Sequence, residues 1–153
     1  MRSVVCGVGS PILGDDGVGL AVVRALRAVE LPDGTELCEL GTGGLAMADA
    51  ALGCEQLVIV DAITTGAAPG TIHVLEGDDV ARGVHLGQGH EPSVPEALAL
   101  TAKVLGARMP SRVWVVAIEA VELHAFTEQL SPAVEAAVPA AVDRVLSLLR
   151  NTG

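Results

Sequence analysis

Apolar runs alternate with segments of helical periodicity along the chain. Short apolar runs, typical of buried strands, cover residues 4–6, 35–40, 56–60, 71–75 and 112–118. Apolar residues at three- and four-residue spacing predict helices over residues 16–29, 45–52, 94–105 and 132–150. This alternation predicts an α/β fold: a single three-layer α/β/α domain over residues 1–153, with about five strands in a mostly parallel, twisted sheet.

The fourth predicted strand differs from the others in its connection. Only the glycine- and proline-containing loop of residues 64–70 separates it from the third strand. A parallel pair needs a longer crossover, whereas antiparallel strands can be joined by a short loop. We therefore expect the third and fourth strands to form a hairpin, with the fourth strand at an edge of the sheet.

Acidic residues follow two of the predicted strands. Gly7 and Gly9 end the first apolar run, and Asp15 and Asp16 then stand at the start of the first helix, while Asp61 directly follows the third run. Ligands of α/β sheets bind outside the carboxyl ends of the strands, so we expect these carboxylates to line one site. Two structural roles stay open: an aspartate could cap the helix, and Asp61 could cap the turn after its strand.

A histidine for the same site is available from residues 76–92, a polar, glycine-rich segment interpreted as a long surface loop. His90 and His85 both lie in it, and either could supply the imidazole. Thr42 follows the second strand and is expected at the same edge. Two carboxylates and an imidazole suit a divalent transition metal such as nickel, zinc or manganese.

Composition and charge narrow the class of protein. The chain has one Trp, one Phe and no Tyr, so its core must be aliphatic, as in parallel sheets. A net charge of −10 argues against nucleic acid or an anionic membrane as a partner. We expect a soluble, cytoplasmic protein, because the sequence has no membrane-spanning run and no signal-peptide pattern. Cys6, Cys38 and Cys54 are interpreted as buried thiols outside any disulfide.

Three common catalytic motifs are missing from the sequence. Ile12 stands where a dinucleotide-binding fingerprint requires its third glycine, and the Gly-Lys-Ser/Thr of a P-loop does not occur. No serine lies in a G-x-S-x-G turn. Neither nucleotide binding nor serine-hydrolase chemistry is therefore favoured.

Motifs spread over nearly the whole chain resemble those of the [NiFe]-hydrogenase maturation endopeptidases. In chain order they are Gly7-Val8-Gly9-Ser10, Asp15-Asp16-Gly17-Val18-Gly19, Gly41-Thr42-Gly43-Gly44, Val58-Ile59-Val60-Asp61-Ala62, Pro69-Gly70-Thr71, His90 and Leu130-Ser131-Pro132-Ala133-Val134. Members of this family remove a C-terminal extension from the precursor of the hydrogenase large subunit after nickel has been inserted. The opening motif and the strand that ends in Asp61 are the more specific matches.

The resemblance implies an aspartyl endopeptidase-like hydrolase with Asp16 and Asp61 as catalytic residues, and Asp15 less essential. It also implies that Asp16, Asp61 and His90 contact nickel, which the precursor of the large subunit supplies. The metal could polarise the scissile carbonyl or activate a water; alternatively, Asp16 or Asp61 could act as general base without metal catalysis. An exposed apolar patch is expected near residues 76–91, because the substrate is a protein. The acidic surface is expected to meet a basic tail on the precursor.

Two other functions stay open on the sequence. The same three ligands would serve a non-catalytic, nickel-checking chaperone that holds the immature large subunit. A relative that acts on another protein would share the fold and the acids but would not depend on nickel.

Overall fold

Five strands form one sheet in a computed structural model of the chain, which describes residues 1–41, 44–81 and 94–151. The strands are β1 (Ser3–Val8), β2 (Thr35–Leu40), β3 (Gln56–Ile63), β4 (Ile72–Glu76) and β5 (Arg112–Glu119). They lie side by side in the order β2-β1-β3-β5-β4. All neighbours are parallel except β4, which pairs antiparallel with β5. The predicted mostly parallel sheet is confirmed.

Helices cover both faces of the sheet and complete the predicted three layers. They are α1 (Val18–Leu26), α2 (Leu45–Ala51), α3 (Gly77–Ala81), α4 (Val94–Leu105) and α5 (Pro132–Arg150), with 3₁₀ turns over Gly14–Gly17 and Gly106–Arg108. Helices α1 and α5 pack on one face, where their valines and leucines meet Val5, Val58 and Val116. Helices α2, α3 and α4 pack on the other face, against Cys6 and Ile59.

The sheet alternates its side chains between these two aliphatic cores, as the pleat requires. Central strand β3 sends Leu57, Ile59 and Ile63 to one core and Val58 and Val60 to the other, and all five are at most 3% exposed. Burial on both faces explains why this segment reads as one continuous apolar run.

The fourth strand lies at an edge, as predicted, but the hairpin with the third strand is wrong. Both sides of β3 are already occupied by the parallel strands β1 and β5. Strand β4 instead pairs with the outer side of β5, where Ile72 lies opposite Ile118. The short loop before β4 therefore spans the position of β5, a strand that comes later in the sequence.

Other element limits differ from the sequence predictions for local reasons. The first helix begins at Val18, after the 3₁₀ turn, and ends at Leu26 because the amides of residues 28 and 29 bond carbonyls three residues back. Strand β3 runs to Ile63, since its pairing with β5 continues beyond Asp61. Residues 77–81, predicted as loop, form α3, and residues 82–93 lie outside the described part of the chain.

The three cysteines do not form disulfides, as predicted. Cys6 and Cys54 are buried, but Cys38 is only half-buried because β2 is an edge strand. Cys38 lies opposite Cys6 in the sheet, and burial raises the pKa of the Cys6 thiol. Within the described residues, no helix has the length and hydropathy needed to cross a membrane.

Close backbone contacts at two glycines bring the first turn and helix onto the sheet. A side chain at Gly19 would overlap the carbonyl oxygen of Val60 and lie 3.0 Å from that of Val8. Gly9 has a φ of +144°, and a side chain there would overlap the carbonyl oxygen of Asp16. Only glycine fits both demands, so helix α1 and the turn before it lie in direct contact with the ends of β1 and β3.

Replacing Gly19 with alanine is expected to destabilise the fold by about 3 kcal/mol, because the added methyl group must displace the Val60 carbonyl. The matched control is Gly41→Ala, where a methyl group would have no neighbour within 4 Å, and its effect should stay within about 0.5 kcal/mol. Urea unfolding of the two variants and the parent measures both values. Equal stability of all three chains would contradict the close contact.

Candidate functional site

Two structural elements bring acidic side chains to the carboxyl edge of the sheet. The 3₁₀ turn Gly14–Gly17, which follows β1, carries Asp15 and Asp16. The last part of β3, the strand next to β1, carries Asp61. The predicted convergence of these elements is borne out by contacts between the 3₁₀ turn and β3. The two aspartates of the turn nevertheless have different surroundings.

Asp15 is fully buried and holds distant parts of the chain together. Its Oδ2 accepts hydrogen bonds from the amides of Val121 and Glu122 at 2.8 and 3.0 Å and from the hydroxyl of Ser131 at 2.8 Å. Its Oδ1 accepts from the amide of Ser131 at 2.7 Å. Burial alone would raise the pKa of Asp15, but these bonds lower it below the usual range. Asp15 therefore joins the turn to the start of α5, and it does not cap α1.

Asp16 is 3% exposed and lies at the inner side of the same turn. Its Oδ2 accepts the amide hydrogen of Ser10 at 2.8 Å, so the carboxylate is held by the loop that follows β1. The charge of Asp16 acts on Asp61 across the boundary between the turn and β3. This carboxylate therefore lies close enough to Asp61 to belong to the same candidate site.

Asp61 is half-buried in β3, opposite Ala117 of β5. Burial raises its pKa well above the usual range, and the nearby negative charge of Asp16 raises it further, while a hydrogen bond from the amide of Ala62 acts in the opposite direction. When two carboxylates lie close together in a partly dehydrated site, the state in which both are ionised is disfavoured. Such a pair can share a proton or bind a cation, and both properties are typical of functional sites.

The remaining predicted site residues lie outside the described part of the chain. These are His90, its alternative His85, and Thr42. Within residues 1–41, 44–81 and 94–151, no group of three His, Cys, Asp or Glu side chains is arranged to hold a metal ion. Of the three predicted ligands, Asp16 and Asp61 are the two that lie in the described residues.

A third buried carboxylate near the same edge was missed by the sequence reasoning. Glu119 ends β5 and is 2% exposed. It accepts hydrogen bonds from the Thr65 amide at 2.8 Å, the Thr65 hydroxyl at 2.5 Å and the Gly66 amide at 3.3 Å, and its Oε1 lies 3.2 Å from Nε2 of His73. Burial would raise the pKa of Glu119, but these contacts lower it. The available signal was the one used for Asp61, an acid directly after an apolar run.

Glu119 and Asp61 therefore differ in function although both end apolar runs. Glu119 is paired on several sides and fixes the loop that follows β3. Asp61 keeps a raised pKa beside a second carboxylate. Asp16 and Asp61 are therefore the candidate site residues, and the hydrogen bonds of Asp15 and Glu119 hold the loops around them.

Known proteins are similar in sequence to this chain over most of its length. The model of a family described as hydrogenase maturation protease matches residues 20–148. The chain is 32% identical to the hydrogenase 2 maturation protease of Escherichia coli K12, over 100% of this chain and 93% of that protein. It is 30% identical to the hydrogenase expression/formation protein HupD of Rhizobium leguminosarum, over 99% of this chain and 76% of that protein.

Solved structures with the same fold carry related names. The hydrogenase maturating endopeptidase HybD from E. coli superposes with a TM-score of 0.87 at 30% identity, covering 100% of this chain and 94% of that one. The [NiFe] hydrogenase maturation protease HybD from Thermococcus kodakarensis gives 0.80 at 25% identity, covering 97% and 99%.

Asp15→Asn is expected to destabilise the chain by about 3 kcal/mol at pH 7, because the amide nitrogen would face the N–H groups that now bond a carboxylate. The pKa of Asp15 is lowered in the fold, so its stabilisation is present above the ordinary pKa of about 3.9 and is lost as the pH falls through the folded-state pKa. Urea unfolding at pH 7 and at pH 3 measures this. A deficit that is no smaller at pH 3 would contradict the role of the charge.

Asp61→Asn is expected to change the free energy of unfolding in the opposite direction to Asp15→Asn. Because the pKa of Asp61 is raised, the folded chain binds its proton more tightly than the unfolded chain, and stability falls as the pH rises from about 3.9 through the folded-state pKa. The asparagine variant lacks this fall, so its advantage over the parent should grow between pH 4 and pH 8. The same unfolding series gives the result, and an advantage that is constant with pH would refute the raised pKa.

Proposed function

The chain belongs to the hydrogenase maturation protease family, and from this premise we propose that it removes the C-terminal extension of a [NiFe]-hydrogenase large-subunit precursor after nickel insertion. It is a peptidase, and its reaction is hydrolysis of a peptide bond. We further propose that nickel belongs to the substrate and marks a precursor that is ready for cleavage.

The position of Asp16 and Asp61 on two elements in contact, the 3₁₀ turn and β3, is the observation that carries this proposal. The pKa of Asp61 is raised by burial and by the charge of Asp16. A divalent cation that approached the pair would relieve their mutual repulsion, and oxygen ligands of this kind can complete the coordination of a transition metal. Nickel held by the precursor would therefore bind best where both carboxylates can reach it.

In this reaction the chain would hold the nickel-bearing part of the precursor beside the scissile bond. Asp16 is fixed through the Ser10 amide and Asp61 through the pairing of β3 with β5, so both contacts come from rigid parts of the fold. His90 is proposed as the third contact. Positioning of this kind converts a slow encounter into a local reaction, which is a large part of catalysis.

Asp61 is also suited to move a proton. A carboxylate whose pKa lies well above its usual range is a stronger base than an exposed aspartate. It could take the proton of the attacking water and return a proton to the leaving amine. This general-base route is compatible with nickel acting only as the recognition mark, and Asp61 is essential in either case.

The chaperone alternative is less well supported than the peptidase. Relatives that cover the whole chain are named proteases or endopeptidases. A chaperone would need the same carboxylates, so the two functions are separated by the fate of the precursor rather than by binding.

The test is a processing assay with the purified full-length chain and a large-subunit precursor from the same organism. Mass spectrometry is expected to show loss of one defined C-terminal peptide from the nickel-loaded precursor and no loss from the nickel-free one. Asp61→Asn should slow cleavage about 10²-fold to 10⁴-fold, the usual effect of removing a general base. Asp16→Asn should also slow cleavage, because a proposed contact to the nickel loses its charge.

The matched control is Asp49→Asn, the same substitution at an exposed position of α2, and it should cleave at the parental rate. Binding of the loaded precursor without cleavage would favour the chaperone. Equal cleavage of loaded and nickel-free precursor would refute nickel recognition, and parental activity of Asp61→Asn would refute the site.

A further inference from the structure

The only phenylalanine of the chain is on its surface. Phe126 is 87% exposed, and both cores are built almost wholly from aliphatic side chains without it. Ile12 and Val121 are also exposed, at 49% and 57%. These three residues, here called the apolar rim, lie on the loops that follow β1 and β5 at the carboxyl edge of the sheet.

The two loops of the apolar rim are joined by backbone hydrogen bonds. The Thr127 amide donates to the Ile12 carbonyl at 3.0 Å, and the Gly14 amide donates to the Thr127 carbonyl at 2.9 Å. The amide of Val121 donates to Asp15. The backbone that carries Phe126 is thus held beside the turn that carries Asp16. An aromatic side chain presented without a large ordering cost is typical of the anchor of a protein interface.

Charge is distributed unevenly between the two edges of the sheet. The loops at the carboxyl edge, residues 9–17, 61–71 and 119–131, contain neither lysine nor arginine. Their acids are Asp15, Asp16, Asp61, Glu119, Glu122 and Glu128. The lysines and arginines in the described residues belong to the other edge or to the later turns of helices: Arg2, Arg24, Arg27, Lys103, Arg108, Arg112, Arg144 and Arg150. A partner that meets the apolar rim therefore finds no lysine or arginine in these loops, where the exposed acids are Glu122 and Glu128.

Two exposed carboxylates border the apolar rim directly. Glu122 follows Val121, and Glu128 lies two residues after Phe126. An apolar side chain of the partner would cover Phe126, and cationic side chains would offset Glu122 and Glu128. Opposite charges at such an interface raise the rate of encounter and fix its orientation.

We propose that the apolar rim is the docking surface for the precursor, and that it binds a segment near the scissile bond that carries a large apolar side chain and a net positive charge. The proposal rests on the proposed function and adds a recognition surface outside the two carboxylates. The expected apolar patch beside residues 76–91 falls mostly outside the described residues; Ile12, Val121 and Phe126 provide one on other loops.

The experiment measures kcat and KM of the full-length chain with nickel-loaded precursor. Phe126→Ser is expected to raise KM about tenfold or more and to leave kcat within about twofold, because the side chain binds the partner but does not touch the reacting bond. The control is Leu52→Ser, a 42% exposed leucine at the far end of α2, which should change neither constant. Thermal unfolding of both variants checks that the fold is retained.

A second pair of variants tests the charge. Glu128→Lys should raise KM about tenfold and flatten its dependence on ionic strength, whereas Glu30→Lys, an exposed charge reversal after α1, should keep the parental KM and salt dependence. A parental KM for either Phe126→Ser or Glu128→Lys would overturn the proposal, as would equal losses in the controls.

Failure of the docking surface and failure of the proposed function give different results. If the parent chain binds the precursor without shortening it, the proposed function fails. The dissociation constants of the parent and Phe126→Ser then decide the surface, with tenfold weaker binding expected. If the parent chain does not bind the precursor, the docking surface is refuted.

Discussion

The contact between the backbone of Gly19 and the carbonyl of Val60 is the constraint on which the candidate site depends. It holds the start of α1 against the end of β3 at backbone distance, with no side chain between them. The turn that carries Asp16 must then lie beside the part of β3 that carries Asp61. Two carboxylates that repel each other are kept together because the apolar packing of α1 on the sheet outweighs their repulsion.

Adjacent aspartates of one turn have separate tasks because they face in different directions. Asp15 is satisfied by donors from the loop after β5 and from the start of α5, so its charge stabilises the fold. The charge of Asp16 helps to raise the pKa of Asp61, so the fold becomes less stable as the pH rises through that pKa. The cost of assembling the site is offset within the same turn, since the hydrogen bonds of one carboxylate anchor the other. Functional sites commonly contain an unfavourable interaction that favourable interactions elsewhere in the fold offset.

The architecture could be predicted because periodicity reports burial, and burial on two faces defines a parallel sheet. The pairing partner of β4 could not be predicted in the same way. It depends on which strands already have neighbours on both sides, and β5, its partner, comes later in the sequence. For the site, glycine turns and the acid in β3 predicted that the turn of Asp16 and the strand of Asp61 lie at one edge, and these two elements are in contact. The different surroundings of Asp15 and Glu119 depend on donors from remote loops. Spacing along the chain contains no record of those contacts.

The exposed position of Phe126 fits the proposed docking of a partner. The hydrophobic effect favours burial of a phenylalanine, and the two aliphatic cores are filled without it. Its loop is fixed by the same turn that holds Asp15, so any protein that covers the phenylalanine is oriented relative to Asp16 and Asp61. A peptidase that cuts one bond of its substrate needs a fixed distance between its docking surface and its carboxylates. A displacement of about 1 Å at the reacting atoms lowers the rate about 10²-fold.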